Sequence, residues 1–172
     1  MMEEGKVCHT PTDTSIGETE TDLRHYSLTL DTAPKTCPWQ GGTFIIRDLD
    51  KKLAIILKNG MLSLQRDDGT FNFYDDRGSH WVCVEKDGWL GFYNAVSGTY
   101  MGYNNTRQFI ATARQHKPSE CFCAQRHPHG GYVLQSKHDH YLYPMRIATS
   151  KEEGLVVDRE GKGGTMWEFV KV

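Results

Sequence analysis

From Gly41 to its last residue the chain can be laid against itself three times. Short alternating runs match first: Trp81-Val82-Cys83-Val84, Cys121-Phe122-Cys123-Ala124 and Trp167-Glu168-Phe169-Val170. Glycine-opened segments match next: Gly42-Thr43-Phe44-Ile45-Ile46, Gly88-Trp89-Leu90-Gly91-Phe92 and Gly131-Tyr132-Val133-Leu134-Gln135. A second run follows each, at 53–57, 99–103 and 141–145, and a third at 61–64, 109–112 and 155–158. Asn59-Gly60, Asp68-Gly69, Asp87-Gly88 and Ser97-Gly98 separate them, and such pairs reverse a strand. The period is thus about 45, 43 and 42 residues, with four strands to a unit.

Three units are too few for a propeller, which takes about 4–8 blades. Three four-stranded units closing one small barrel is the plan of an all-β, pseudo-threefold β-trefoil, and closure removes the edges along which strands aggregate. Seventeen Gly, eight Tyr, seven Phe and four Trp suit strands and turns better than helices. The matched large residues Trp81, Trp167, Phe169, Trp89, Phe44 and Tyr132 are expected to point inward. The same alignment sets Cys121 and Cys123 on the core-facing positions of Trp81 and Cys83.

The trefoil is expected over 39–172, with repeats at about 43–87, 88–130 and 131–172. Residues 1–38 differ: only Tyr26 among the aromatic residues precedes Trp39, and Asp and Thr crowd the stretch. A segment this poor in apolar groups cannot offset its ordering entropy, so it reads as a largely disordered tail with one possible edge strand at 24–30.

Lys and Arg number 20 against 22 Asp and Glu, a net charge of −2 that lacks the basic excess nucleic acid demands. No apolar run approaches the ~20 residues of a membrane span. No signal peptide opens the chain, and five cysteines read as reduced thiols, so a cytoplasmic protein is expected. Cys121-x-Cys123 with His127-x-His129 has the outline of a metal pattern, but core-facing thiols leave no metal site. The pairs His127/His129 and His138/His140 are expected at opposite barrel ends. The charged runs 47–52 and 151–153 read as solvated turns, and His80 as a residue shielding a strand edge.

Neither a Gly-x-Ser-x-Gly elbow nor a phosphate loop is present, which points away from catalysis and requires no cofactor. What remains is the Tyr, His and Arg dressing of repeats two and three: Tyr93, Tyr103, Arg107, His138, His140, Tyr141, Tyr143 and Arg146. Tyr and Arg anchor interfaces because each joins contact area to hydrogen-bond donors.

Ser97-Gly98-Thr99-Tyr100-Met101-Gly102 resembles the second strand of fascin-like trefoils. Gly131-Tyr132-Val133-Leu134-Gln135-Ser136 with His140-Tyr141-Leu142, and the closing Trp167-Glu168-Phe169, are similar to that family too. The resemblance covers 41–172 and implies a binding module with a protein partner, actin among the candidates. Fascins carry several trefoils and this chain one, so bundling would require dimerisation. The alternative is a small-molecule-binding or catalytic trefoil, of isomerase or cyclase type, with a pocket at one barrel end. A lectin is the third reading. The Gln-x-Trp signature of ricin-type lectins is missing, so their sugar-binding residues cannot be carried across.

Overall fold

The structure, a computed structural model, describes residues 37–67, 77–149 and 154–172. Nearly all of the expected tail over 1–38 with its strand at 24–30, the turn at Asp68-Gly69 and the charged run 151–153 lie outside them. Repeat one contributes β1 (Thr43–Asp48), β2 (Leu53–Lys58), β3 (Met61–Arg66) and β4 (His80–Lys86). Repeat two contributes β5 (Trp89–Asn94), β6 (Thr99–Tyr103), β7 (Phe109–Ala113) and β8 (Phe122–Arg126). Repeat three contributes β9 (Tyr132–His138), β10 (Tyr141–Ile147), β11 (Leu155–Val157) and β12 (Met166–Lys171).

The first and fourth strands of the repeats form a ring. β1 pairs with β4, β4 with β5, β5 with β8, β8 with β9, β9 with β12, and β12 returns to β1, every pair antiparallel. Each barrel strand therefore spends both its edges on neighbours. The second and third strands form three hairpins, β2–β3, β6–β7 and β10–β11. Two-residue turns at Asn59-Gly60 and Asp87-Gly88 hold both residues at positive φ, 52° and 80° in one and 54° and 79° in the other. That is the type I′ geometry whose twist matches the strands, and glycine takes its second position without strain.

Cross-strand register shows the threefold symmetry directly. Phe44 faces Trp81, Leu90 faces Phe122 and Tyr132 faces Trp167. One layer along, Cys83 faces Phe92, Ala124 faces Leu134 and Phe169 faces Ile46. Trp81, Phe44, Phe92, Leu134, Trp167 and Phe169 are fully buried at 0 % exposure.

This register corrects the repeat alignment by one residue in two places. Phe122, not Cys121, occupies the position of Trp81 and Trp167, so Cys121 and Cys123 are half-buried and face away from the core. The side-chain period in a strand is two, and a slip of one turns every residue to the other face. Likewise Leu90 takes the inward position expected for Trp89. Trp89 lies on the outside, with Lys137 Nζ over its ring at 4.7 Å. Phe44, Trp81, Trp167 and Phe169 point inward as expected, and Tyr132 packs half-buried on the core.

The run 47–52 is a solvated turn only in part: Asp50 and Lys51 are exposed, but Asp48 is buried and Arg47 and Lys52 are engaged in ion pairs. Arg47 Nε and Lys52 Nζ each lie 2.6 Å from Glu168 Oε1, and Arg47 also pairs with Asp67. Burial pushes the Glu168 carboxyl up, but Lys52 and Arg47 more than offset it and hold the group below the usual carboxylate range. His80 is buried rather than set at an edge, its Nδ1 3.0 Å from Ser79 Oγ. Among the described residues no helix is long and apolar enough to cross a membrane.

Candidate functional site

The three repeats place a buried polar residue at one matching position: Asp48, Asn94 and Ser136, at 4 %, 1 % and 0 % exposure. In repeats one and two this residue closes the next turn. Asp48 Oδ2 and Oδ1 accept from Lys51 N and Leu53 N at 2.7 and 2.6 Å. Asn94 Oδ1 accepts from Val96 N and Ser97 N at 3.2 Å each. Each turn spans four residues, 49–52 and 95–98.

Repeat three departs from this pattern. Ser136 pairs with Tyr143, as Asn94 does with Thr99, but six residues lie between them. β9 and β10 continue past the matching positions, pair Lys137 with Leu142 and His138 with Tyr141, and turn at Asp139-His140. Asp139 takes φ 51°, which aspartate tolerates better than most residues. The overhang adds two imidazoles and a phenol, with His138 buried at its base and His140 and Tyr141 exposed at its tip.

Neighbouring segments pack around it. The Tyr103 ring at the end of β6 stacks on His138 at 3.8 Å between centroids, and its hydroxyl donates to the Lys137 carbonyl at 2.9 Å. Tyr143 meets His138 edge-on at 5.2 Å, and Tyr141 lies 6.2 Å from Tyr143. The Arg159 guanidinium, just after β11, sits over the Tyr143 ring at 4.8 Å. Tyr141 remains 66 % exposed and Leu142 39 %.

Hydrogen bonding fixes the His138 tautomer. Arginine has no acceptor, so the nitrogen facing it must offer a lone pair. Arg159 Nη2 approaches His138 Nδ1 at 3.5 Å, which leaves the proton on Nε2, 3.0 Å from Ser136 Oγ. The Ser136 hydroxyl donates onward to the Tyr143 carbonyl at 3.2 Å. Burial lowers the His138 pKa, Arg159 and Arg107 lower it further, and Asp139 opposes them. The imidazole is therefore neutral at neutral pH, a spacer that holds Arg159 in place.

Of the residues expected to form a site, Tyr103, His138, Tyr143 and Tyr141 come together, with Arg107 near enough to act on His138. His140 stands exposed in the turn itself. Arg146 is spent on the fully buried Asp158, Nε to Oδ1 3.6 Å. Tyr93 belongs to a separate group: it lies 5.1 Å from Tyr100, whose ring stacks on His116, and His116 Nε2 is 3.6 Å from Cys121 Sγ. His127 and His129 sit 5.5 Å apart in the β8–β9 loop. Among the described residues no group of three or more His, Cys, Asp or Glu is placed to hold a metal ion. Sequence reasoning missed Arg159 and Ser136. The visible signal was the longer spacing between the glycine-opened strand and the next in repeat three.

A cavity of about 50 Å³ lies where the third strands meet, lined by Leu62, Phe109 and Leu155 among others. It has room for a water or two, far short of the roughly 300 Å³ at which ligand pockets begin. The overhang offers an open surface instead.

No family model and no curated protein matches this chain. Solved structures do. The designed 3-fold symmetric protein ThreeFoil superposes with a TM-score of 0.60 at 14 % identity, over 76 % of this chain and 99 % of its own. The fold is a β-trefoil. A ricin B-like lectin from Macrolepiota procera, solved in complex with lactose, gives 0.58 at 16 % identity over 80 % of this chain and 100 % of its own. A GlcNAcα1-4Gal-releasing endo-β-galactosidase from Clostridium perfringens gives 0.62 at 14 % identity over 76 % of this chain. The match spans 32 % of that enzyme's length. At these identities the likeness concerns the fold.

Proposed function

We propose that this protein is a non-enzymatic binding module that takes a carbohydrate on the overhanging hairpin of its third repeat. The observation that carries the reading is Tyr141, left 66 % exposed beside Tyr143 on a rigid two-stranded arm. A sugar presents an apolar C–H face to an aromatic ring and hydroxyls to hydrogen-bonding groups around it. Tyr141 supplies the ring, and Arg159, anchored on Tyr143 and His138, supplies donors. An open platform rather than a cavity suits a ligand that stays half in solvent. The Macrolepiota lectin with lactose bound shows that a fold of this kind can serve sugar binding. The residues here are different, since Gln-x-Trp is missing. Titration with lactose, followed by amide NMR, is expected to shift signals of 137–143 and 159, and Tyr141→Ala to abolish the shifts. A glycan array with no bound sugar overturns the reading.

A second reading keeps the protein partner and the cytoplasmic setting, with actin as one candidate from the fascin-like resemblance. Leu142, 39 % exposed next to Tyr141, favours it, because the two present adjoining apolar area to solvent. A monomer with one such tip pellets with filaments at high speed and forms no bundles at low speed, since avidity needs two sites. Failure to pellet overturns actin.

A further inference from the structure

Building on the carbohydrate reading, we infer that the hairpin site selects saccharides that carry a carboxylate, as uronic and sialic acids do. Two guanidiniums serve this end. Arg159 is pre-positioned by two contacts, stacking on Tyr143 and its approach to the bare Nδ1 of His138. Only one of its five donors is used there, and the side chain is exposed. Arg107 stands in the β6–β7 turn, held at φ 67°, and its carbonyl accepts from Val157 N at 3.0 Å, which ties that turn to β11 beside Arg159. Among the described residues neither Arg107 nor Arg159 has a carboxylate partner. Their neighbours are already matched. Arg146 pairs with Asp158, and Lys162 with Glu160 at 2.6 Å.

Asp139 is the one acid on the hairpin, and among the described residues it enters no ion pair, so its single negative charge stands against the two guanidiniums of Arg107 and Arg159. A planar guanidinium whose fork is free takes a carboxylate through two parallel hydrogen bonds. The sugar ring on Tyr141 would then sit beside a cationic edge.

The test compares lactose with sialyllactose by isothermal titration. In low salt sialyllactose is expected to bind about tenfold tighter. That ratio should fall toward one at about 0.5 M salt, where the Debye length is only a few ångström. In the double variant Arg107→Gln/Arg159→Gln the ratio should also collapse. Asp139→Asn should raise it about twofold, and asparagine accepts the positive φ, so this variant keeps its fold. Equal affinity for the two sugars, or a ratio that survives in the double variant, overturns the inference and leaves the carbohydrate reading standing. No binding of either sugar overturns both.

Discussion

His138 and His116 are neutral in the folded chain because burial, then nearby cations, disfavour their charged forms: Arg159 and Arg107 act on His138, Lys86 on His116. In the unfolded chain both titrate near the ordinary value of about 6.5. Below that value the unfolded state binds more protons, so stability rises with pH. It is complete above about pH 6.5, falls as pH drops toward the lowered folded values, and levels below them. Thermal midpoints measured from pH 7 to 5 should therefore decline, and His138→Gln should flatten part of the slope. Glu120, pushed up by burial, acts in the opposite sense and cancels in that comparison. The cysteines separate by face. Cys83 is fully buried, and burial pushes its thiol up to about 12. Cys121 and Cys123 are half-buried and Cys37 exposed. Alkylation of the native protein, mapped by peptide mass, should label Cys37, Cys121 and Cys123 well before Cys83.

The β9–β10 hairpin breaks the threefold symmetry; its added residues pair with each other, and one backbone bond, from Lys137 N to the Cys121 carbonyl at 3.0 Å, ties them to the segment before β8. Removing Lys137-His138 and Tyr141-Leu142 would join Ser136 to Tyr143 through Asp139-His140, keeping a two-residue turn on a paired register. The loss is the Tyr103 stack and its hydrogen bond to the Lys137 carbonyl, the contacts of His138 with Ser136, Tyr143 and Arg159, the Lys137 cation over Trp89 and the Lys137 N bond to the Cys121 carbonyl. That costs about 2–5 kcal/mol, and each kcal/mol lowers the thermal midpoint by about 2–4 °C. The shortened protein is expected to unfold cooperatively and to bind no sugar. Loss of the fold instead would mean that the overhang supports the barrel.

Closure of the ring is the property of the whole molecule. β12 makes five register pairs with β1 and also pairs with β9, so the first and last strands of the trefoil lock together. Trp167 lies in that seam at 0 % exposure, equivalent to Trp81 and Phe122 in the other repeats. Trp167→Ala should cost about 3–5 kcal/mol in denaturant unfolding. A loss under about 1 kcal/mol would mean the seam contributes little.

The sequence alone determined the repeat, the twelve strands and the turns at Asn59-Gly60, Asp87-Gly88 and Ser97-Gly98, because alternation and turn residues are local properties that each segment expresses by itself. Phe44, Trp81, Trp167 and Phe169 were legible as core for the same reason. The facing of Phe122 against Cys121, or of Leu90 against Trp89, was not. A strand with large residues at adjacent positions suits either face, and only pairing with its neighbours decides. The site needed still more of the tertiary structure. Tyr103, Arg107, His138, Tyr143 and Arg159 come from three separate stretches of chain, and barrel closure brings β6, the β9–β10 hairpin and the segment after β11 together. Their types were visible in the sequence; their meeting was decided by the ring of strands beneath them.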